Sequence, residues 1–132
     1  MKEPVWIEAR ELLLLHGRLI EQHGGSGGVR DVGLLESTLA RPREIFARAA
    51  KPDMFQMAAA YTSGVVRNHP FVDGNKRVAF IAGILFLELN GYRFAASEEE
   101  AARAVIDLAS RALDEAGYAA FLRANSRRAK RT

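Results

Sequence analysis

Apolar residues recur at helical spacing along most of the chain and change phase at glycines, prolines and capping residues. Leu12, Leu15, Leu19 and Ile20 share one face of residues 7–23, which predicts a first helix stopping at Gly24 and Gly25. Residues 24–28 hold four glycines and a serine, a composition too costly in backbone entropy for regular structure. Asp31 is placed to cap a short helix through Leu39 that ends near Pro42, because an interior proline removes a helical hydrogen bond. Asp53 opens a third, long helix that carries Met57, Tyr61, Val65 and many alanines to His69. In residues 75–90, Val78, Ile81, Leu85 and Leu89 form one stripe. Ala82 and Phe86 widen it, so this helix reads as the central core helix, with Gly91 just past its end. Residues 92–96 read as a short extended link. Ser97 and Glu100 form a capping box for a helix through about Ala112, and Asp114 caps a last helix through about Asn125. The expectation is an all-α fold in a single compact domain over residues 1–132, closing with a basic C-terminal tail at 126–132.

Composition narrows the class. At 132 residues the chain is one domain of ordinary size, able to bury a core without covalent staples. It has no cysteine, which excludes disulfides and thiolate metal sites and suits a reducing cytoplasm. The apolar runs at 12–15 and 78–87 are far shorter than the roughly 18–20 residues a bilayer needs, and no basic-then-apolar leader opens the chain. A soluble, cytoplasmic protein with no membrane partner is expected. The net charge of +3 and pI near 9.6 are modest for a nucleic-acid binder. Arg127, Arg128, Lys130 and Arg131 read as a solvated end rather than a nucleic-acid arm. Basic charge would equally suit a nucleotide substrate or an acidic protein partner.

The chemistry concentrates in His69-Pro70-Phe71-Val72-Asp73-Gly74-Asn75-Lys76-Arg77. Pro70 and Gly74 turn the chain, and the next helix then presents unpaired N–H groups and partial positive charge, an oxyanion site. Lys76 and Arg77 would be disfavoured there by the macrodipole unless they serve an anion. A lone histidine at a helix end is ordinarily a dipole partner. With Asp73 four positions on, His69 reads as a general base for an attacking hydroxyl. Asp73 beside an anion would repel it unless a cation bridged them, so it reads as the oxygen ligand of a magnesium ion travelling with a polyphosphate. Asn75 reads as an N-cap and Phe71 as a core anchor. His16 and His23 lack such neighbours and read as surface-helix residues, and Trp6, Met57 and Tyr61 as core.

This nine-residue run resembles the active-site pattern of the Fic/Doc superfamily and, within it, the Doc branch, the death-on-curing toxins of toxin–antitoxin modules. Fic-type nucleotidyl transferases have a glycine where this chain has Lys76 and a second arginine where it has Phe80. Both departures point to Doc. Residues 24–31, followed by Gly33-Leu34-Leu35-Glu36-Ser37, are also similar to Doc-like proteins. The resemblance implies a kinase-type transfer of the γ-phosphate of ATP, with Mg2+, to a threonine or serine of translation elongation factor Tu, arresting translation. It implies catalytic roles for His69, Asp73, Lys76 and Arg77, and nucleotide contacts from Arg67, Gly74, Asn75, Lys76 and Arg77. Arg67 reads equally as a solvated helix arginine. The glycine stretch is either a helix connector or a flap that aligns the target polypeptide by backbone pairing. Ile81 stands where Doc-like proteins can have an asparagine, and its polar contact is lost.

Two other classes stay open at this stage. A Fic-type nucleotidyl transferase (AMPylation) would use the same residues, and a non-catalytic basic binding module would not need His69 and Asp73 together. Self-restraining Fic proteins carry a Ser or Thr with a Glu four residues on. No such pattern occurs here. The resemblance therefore implies restraint by a separate antitoxin, whose C-terminal segment folds on binding near the active site.

Overall fold

A computed structural model describes residues 1–130; Arg131 and Thr132 of the expected tail lie outside the described residues. Six helices carry the fold: α1 (Ala9–His23), α2 (Val32–Arg48), α3 (Met54–Asn68), α4 (Asn75–Leu89), α5 (Glu98–Ser110) and α6 (Glu115–Ala124). Two short strands, β1 (Tyr92–Phe94) and β2 (Ser126–Arg128), complete it, and the all-α expectation holds. Four of the five predicted N-caps are present. Asp31, Asp53, Ser97 and Asp114 accept backbone N–H groups of Leu34, Phe55, Glu100 and Gly117 at 2.7–3.1 Å.

The central helix is α3 rather than α4. Every residue from 57 to 66 is buried, because its small side chains let α2, α4 and α6 approach on all sides. The α2 contact places a Cβ added at Gly64 only 3.0 Å from Thr38 Cγ2. The apolar girth of α4 has a different cause: Phe80, Ile81 and Ile84 line an open groove instead of filling the core. Around α3 pack Trp6, Leu12, Leu35, Phe86, Leu108 and Tyr118, with Trp6 stacked on Phe86 at 5.9 Å.

Three boundaries differ from the pattern-based reading. The helix expected to end near Pro42 runs on to Arg48 with Pro42 buried inside it. Its second half is held by tertiary contacts, Phe46 edge-on to Trp6 at 5.8 Å and Arg41 paired with Glu115, which outweigh one lost backbone bond. The first helix starts at Ala9, not Ile7, because Glu8 is extended and forms a capping box with Glu11, whose side chain accepts the Glu8 N–H at 2.9 Å. The extended link and the start of the basic tail pair with each other as an antiparallel ladder, Tyr92 opposite Arg128, Arg93 opposite Arg127 and Phe94 opposite Ser126. The tail is thus ordered through Arg128, and Ala129 N–H continues the pairing to the Gly91 carbonyl at 2.9 Å. No helix among the described residues is long and apolar enough to cross a membrane.

Candidate active site

The turn between α3 and α4 is built by its own side chains. Pro70 disfavours right-handed helix at the residue before it, so α3 ends at Asn68 and His69 turns left-handed at φ 46° and ψ 57°. Such a conformation is strained for a residue with a Cβ and needs outside support. Arg30 supplies it, donating Nε to the His69 carbonyl at 2.7 Å and Nη2 to the Asn68 carbonyl at 2.8 Å. Its charge also sits at the negative end of α3. Beyond the proline, Phe71 is buried as expected, and Asn75 closes the loop over it. The Asn75 Oδ1 accepts the Phe71 N–H at 3.1 Å, and its Nδ2 donates to the Phe71 carbonyl at 3.0 Å.

Asn75 is therefore not the N-cap. Gly74 is, at φ +74°, and Asn75 is the first helical residue, because only a carboxamide offers the donor and acceptor that grip both polar groups of one residue. No side chain caps α4 and no acid occupies its first turn, in contrast to α5 with Glu98, Glu99 and Glu100. Its first N–H groups lack a side-chain cap and have exposed Lys76 and Arg77 beside them, an arrangement chemically suited to an anion.

His69, Asp73, Gly74, Asn75, Lys76 and Arg77 line one end of a cavity of about 970 Å³. That size lies at the upper end of the roughly 300–1,000 Å³ typical of small-molecule sites. The remaining lining is largely apolar, with Phe80, Ile81, Ile84, Phe94, Val105 and Ile106, and includes Glu98. Phe80 packs edge-on against Phe94 at 6.0 Å, so an aromatic wall stands where a second cation was absent from the sequence pattern. Arg67 is not among the lining residues, and its Nε is turned to Ser63 Oγ at 3.1 Å on its own helix.

Asp73 is held at both carboxylate oxygens. Oδ1 accepts the Gly74 N–H at 2.8 Å and Oδ2 accepts the Ser26 N–H at 3.2 Å. The second bond comes from the glycine stretch, which folds back on the motif loop rather than spanning freely between helices. Gly28 accepts the Val72 N–H at 3.1 Å, Arg30 N–H reaches the Pro70 carbonyl at 2.7 Å, and Val29 bridges Phe71. Glycine is required where the approach is closest: a Cβ at Gly25, φ +112°, would lie 2.6 Å from Asp73 Oδ2.

The donor set suits a polyphosphate with magnesium. Magnesium keeps waters and takes one or two carboxylates plus substrate phosphates, and no group of three or more His, Cys, Asp or Glu among the described residues forms an all-protein metal cage. A carboxylate offers about four lone-pair directions, and two are used here.

Two residues of the site escaped the sequence pattern. Arg30 left no local signal, since its partners lie 38 and 39 residues away. His16, expected on the surface, is buried at 4% exposure, with Nε2 2.7 Å from the Asp73 carbonyl oxygen and its ring stacked on Phe71. Its position on the stripe of Leu12, Leu19 and Ile20 was the available signal.

The Fic/DOC family profile matches residues 6–87, which include the motif loop and the glycine stretch. The chain is 40% identical over 107 residues to "Toxin Doc" of Mycolicibacterium smegmatis (strain ATCC 700084 / mc(2)155), covering 74% of this chain and 82% of that protein. It is 36% identical over 93 residues to "Protein kinase doc" of Escherichia phage P1, covering 70% of this chain and 74% of that protein.

Proposed function

The chain belongs to the Fic/DOC family, and we propose that within it the protein is the toxin of a toxin–antitoxin module, a Doc-type kinase that transfers the γ-phosphate of ATP to a Thr or Ser of a target protein. The relatives named as a toxin and as a protein kinase support this reading. The observation that carries it is the pairing, in one cavity, of His69 and Asp73 with Lys76 and Phe80, the two positions that depart from the Fic-type transferase pattern.

His69 accepts the proton of the target hydroxyl as its oxygen bonds to the γ-phosphorus. The bond from that phosphorus to the β-side bridging oxygen breaks, and ADP leaves. Lys76, Arg77 and the N–H groups of α4 hold the phosphate charge, and the Gly74 turn lets the backbone approach it. Asp73 would hold magnesium, which supplies charge neutralisation between the phosphates. Lys76 fills the nest that a glycine leaves open in Fic-type enzymes, and Phe80 withholds the second clamp, so the nucleotide is seated with its γ-phosphate toward His69. The target proposed is elongation factor Tu, whose modification would arrest translation in the cytoplasm. The partner is an antitoxin segment that folds on binding over the apolar half of the cavity, where half-exposed Ile106 and the Phe80–Phe94 wall offer buried area.

Incubation of the purified protein with elongation factor Tu and ATP labelled at the α- or the γ-phosphate tests the reaction. Label from γ and not α, with the modified Thr or Ser located by mass spectrometry, is expected. Transfer of α-label would establish AMPylation instead, and no transfer of either would reject the assignment. Co-expression with each adjacent small open reading frame tests the partner. Growth arrest by the protein alone and relief by one neighbour are expected.

A further inference from the structure

Of the three histidines only His16 is buried, and it makes two contacts with the motif loop from the middle of α1. Its ring lies nearly parallel to that of Phe71, centroids 3.9 Å apart with 10° between planes. Its Nε2 is 2.7 Å from the Asp73 carbonyl oxygen. A carbonyl only accepts, so the proton of that bond resides on Nε2. A buried polar ring costs desolvation that an aliphatic side chain would avoid, and the hydrogen bond offsets it.

We infer that His16 is a positioning residue: it fixes the Asp73–Gly74 peptide plane and, through it, the Asp73 carboxylate and the start of α4. The coupling is mechanical. The Asp73 C=O and the Gly74 N–H belong to one rigid peptide unit. His16 Nε2 donates to the carbonyl oxygen of that unit, while the Gly74 N–H at its other end is donated to Asp73 Oδ1 at 2.8 Å. Rotation of the plane would swing the carboxylate. It would also disturb Gly74, whose carbonyl accepts the Val78 N–H that begins α4. Little slack exists, since a Cβ at Gly74 would stand 3.2 Å from Ile20 Cδ1 and 3.8 Å from His16 Nε2. His16 itself is not among the residues lining the cavity, so it acts on substrate only through Asp73 and Gly74. The catalytic consequence rests on reading Asp73 as the carboxylate that holds magnesium; the positioning does not.

Two variants of the full chain separate the ring from the donor. His16→Phe keeps a ring against Phe71 and removes the N–H; His16→Gln keeps an N–H donor at similar reach and gives up the ring. His16→Phe is expected to lower kcat for γ-phosphate transfer by roughly 10- to 100-fold, the usual effect of losing a group that orients a metal ligand. The magnesium concentration for half-maximal rate should rise, with KM for the target protein unchanged. His16→Gln should regain most of the rate and the parental magnesium response. Amide spectra of 15N-labelled protein should show Gly74 and Asn75 displaced in His16→Phe and near parental in His16→Gln. Parental kcat and magnesium response in His16→Phe, or a folded His16→Gln as impaired as His16→Phe, would overturn the inference. If the parent transfers no γ-phosphate, the proposed function fails by itself. The amide spectra then decide: displaced in His16→Phe but not in His16→Gln supports positioning, and unmoved in both refutes it.

Discussion

At the residue scale, the motif concentrates chemistry on side chains that do little for packing. His69 is exposed at a helix end and held through its backbone carbonyl, which leaves its imidazole accessible for the general-base role proposed above. His69→Ala is expected to retain the fold and lose about 10²- to 10⁴-fold in transfer rate, the range for removal of a general base. Circular dichroism and a labelled-phosphate assay on the same preparation check both halves. Lys76→Gly should lower γ-phosphate transfer by reopening the anion nest while leaving Arg77 and the α4 N–H groups in place. Unchanged γ-transfer in that variant would remove Lys76 from the control of nucleotide orientation. His69→Ala should cost little stability, since an exposed side chain contributes little to folding, whereas Lys76→Gly should cost up to about 1 kcal/mol through the low helix propensity of glycine in the first turn of α4.

At the element scale, the site depends on how closely α3 and α4 pack, because these two helices set the ends of the motif loop. Thr62 on α3 donates its hydroxyl to the Ala79 carbonyl on α4 at 2.7 Å, and Gly83 lies opposite it. A Cβ at Gly83 would stand 2.5 Å from Thr62 Oγ1 and 3.2 Å from the Ala58 carbonyl oxygen. Gly83→Ala should therefore destabilise by about 1–3 kcal/mol despite the better helix propensity of alanine. Gly17, inside α1, has nothing within 4 Å of an added Cβ. Gly17→Ala should stabilise by about 0.5–1 kcal/mol. Urea unfolding with unchanged slope would give both values, and a shift of the same sign in both variants would contradict the packing account.

At the scale of the whole molecule, the core buries two phenols. Burial pushes the Tyr61 and Tyr118 hydroxyls up to about 12 from the ordinary 10.0. The folded chain then keeps two protons that the unfolded chain loses above pH 10. The stability from burying them neutral is complete below that pH and is lost as pH rises toward 12. Urea midpoints should be flat from about pH 8 to 9.5 and fall steeply between about pH 10 and 12, and Tyr118→Phe should remove about half of that slope. A midpoint that holds constant across the upper interval would show that the phenols ionise without unfolding the core.

Features whose partners lie within a few residues were legible in the chain alone. The caps of α2, α3, α5 and α6 were legible because a cap joins a side chain to an N–H two or three positions on. The motif was legible for the same reason: His69, Asp73, Gly74, Asn75, Lys76 and Arg77 fall within nine positions, and one turn gathers them into one cavity. Tertiary structure decided the rest. Helix α2 passes through Pro42 because distant rings and an ion pair hold its far half. Residues 126–128 are a strand because β1 offers them a partner in register. His16 was assigned to the surface because nothing within its own helix shows that a loop 57 residues later closes over it. Local pattern reports which face of a helix is apolar, but whether a polar residue on that face is buried depends on what the remainder of the chain brings against it.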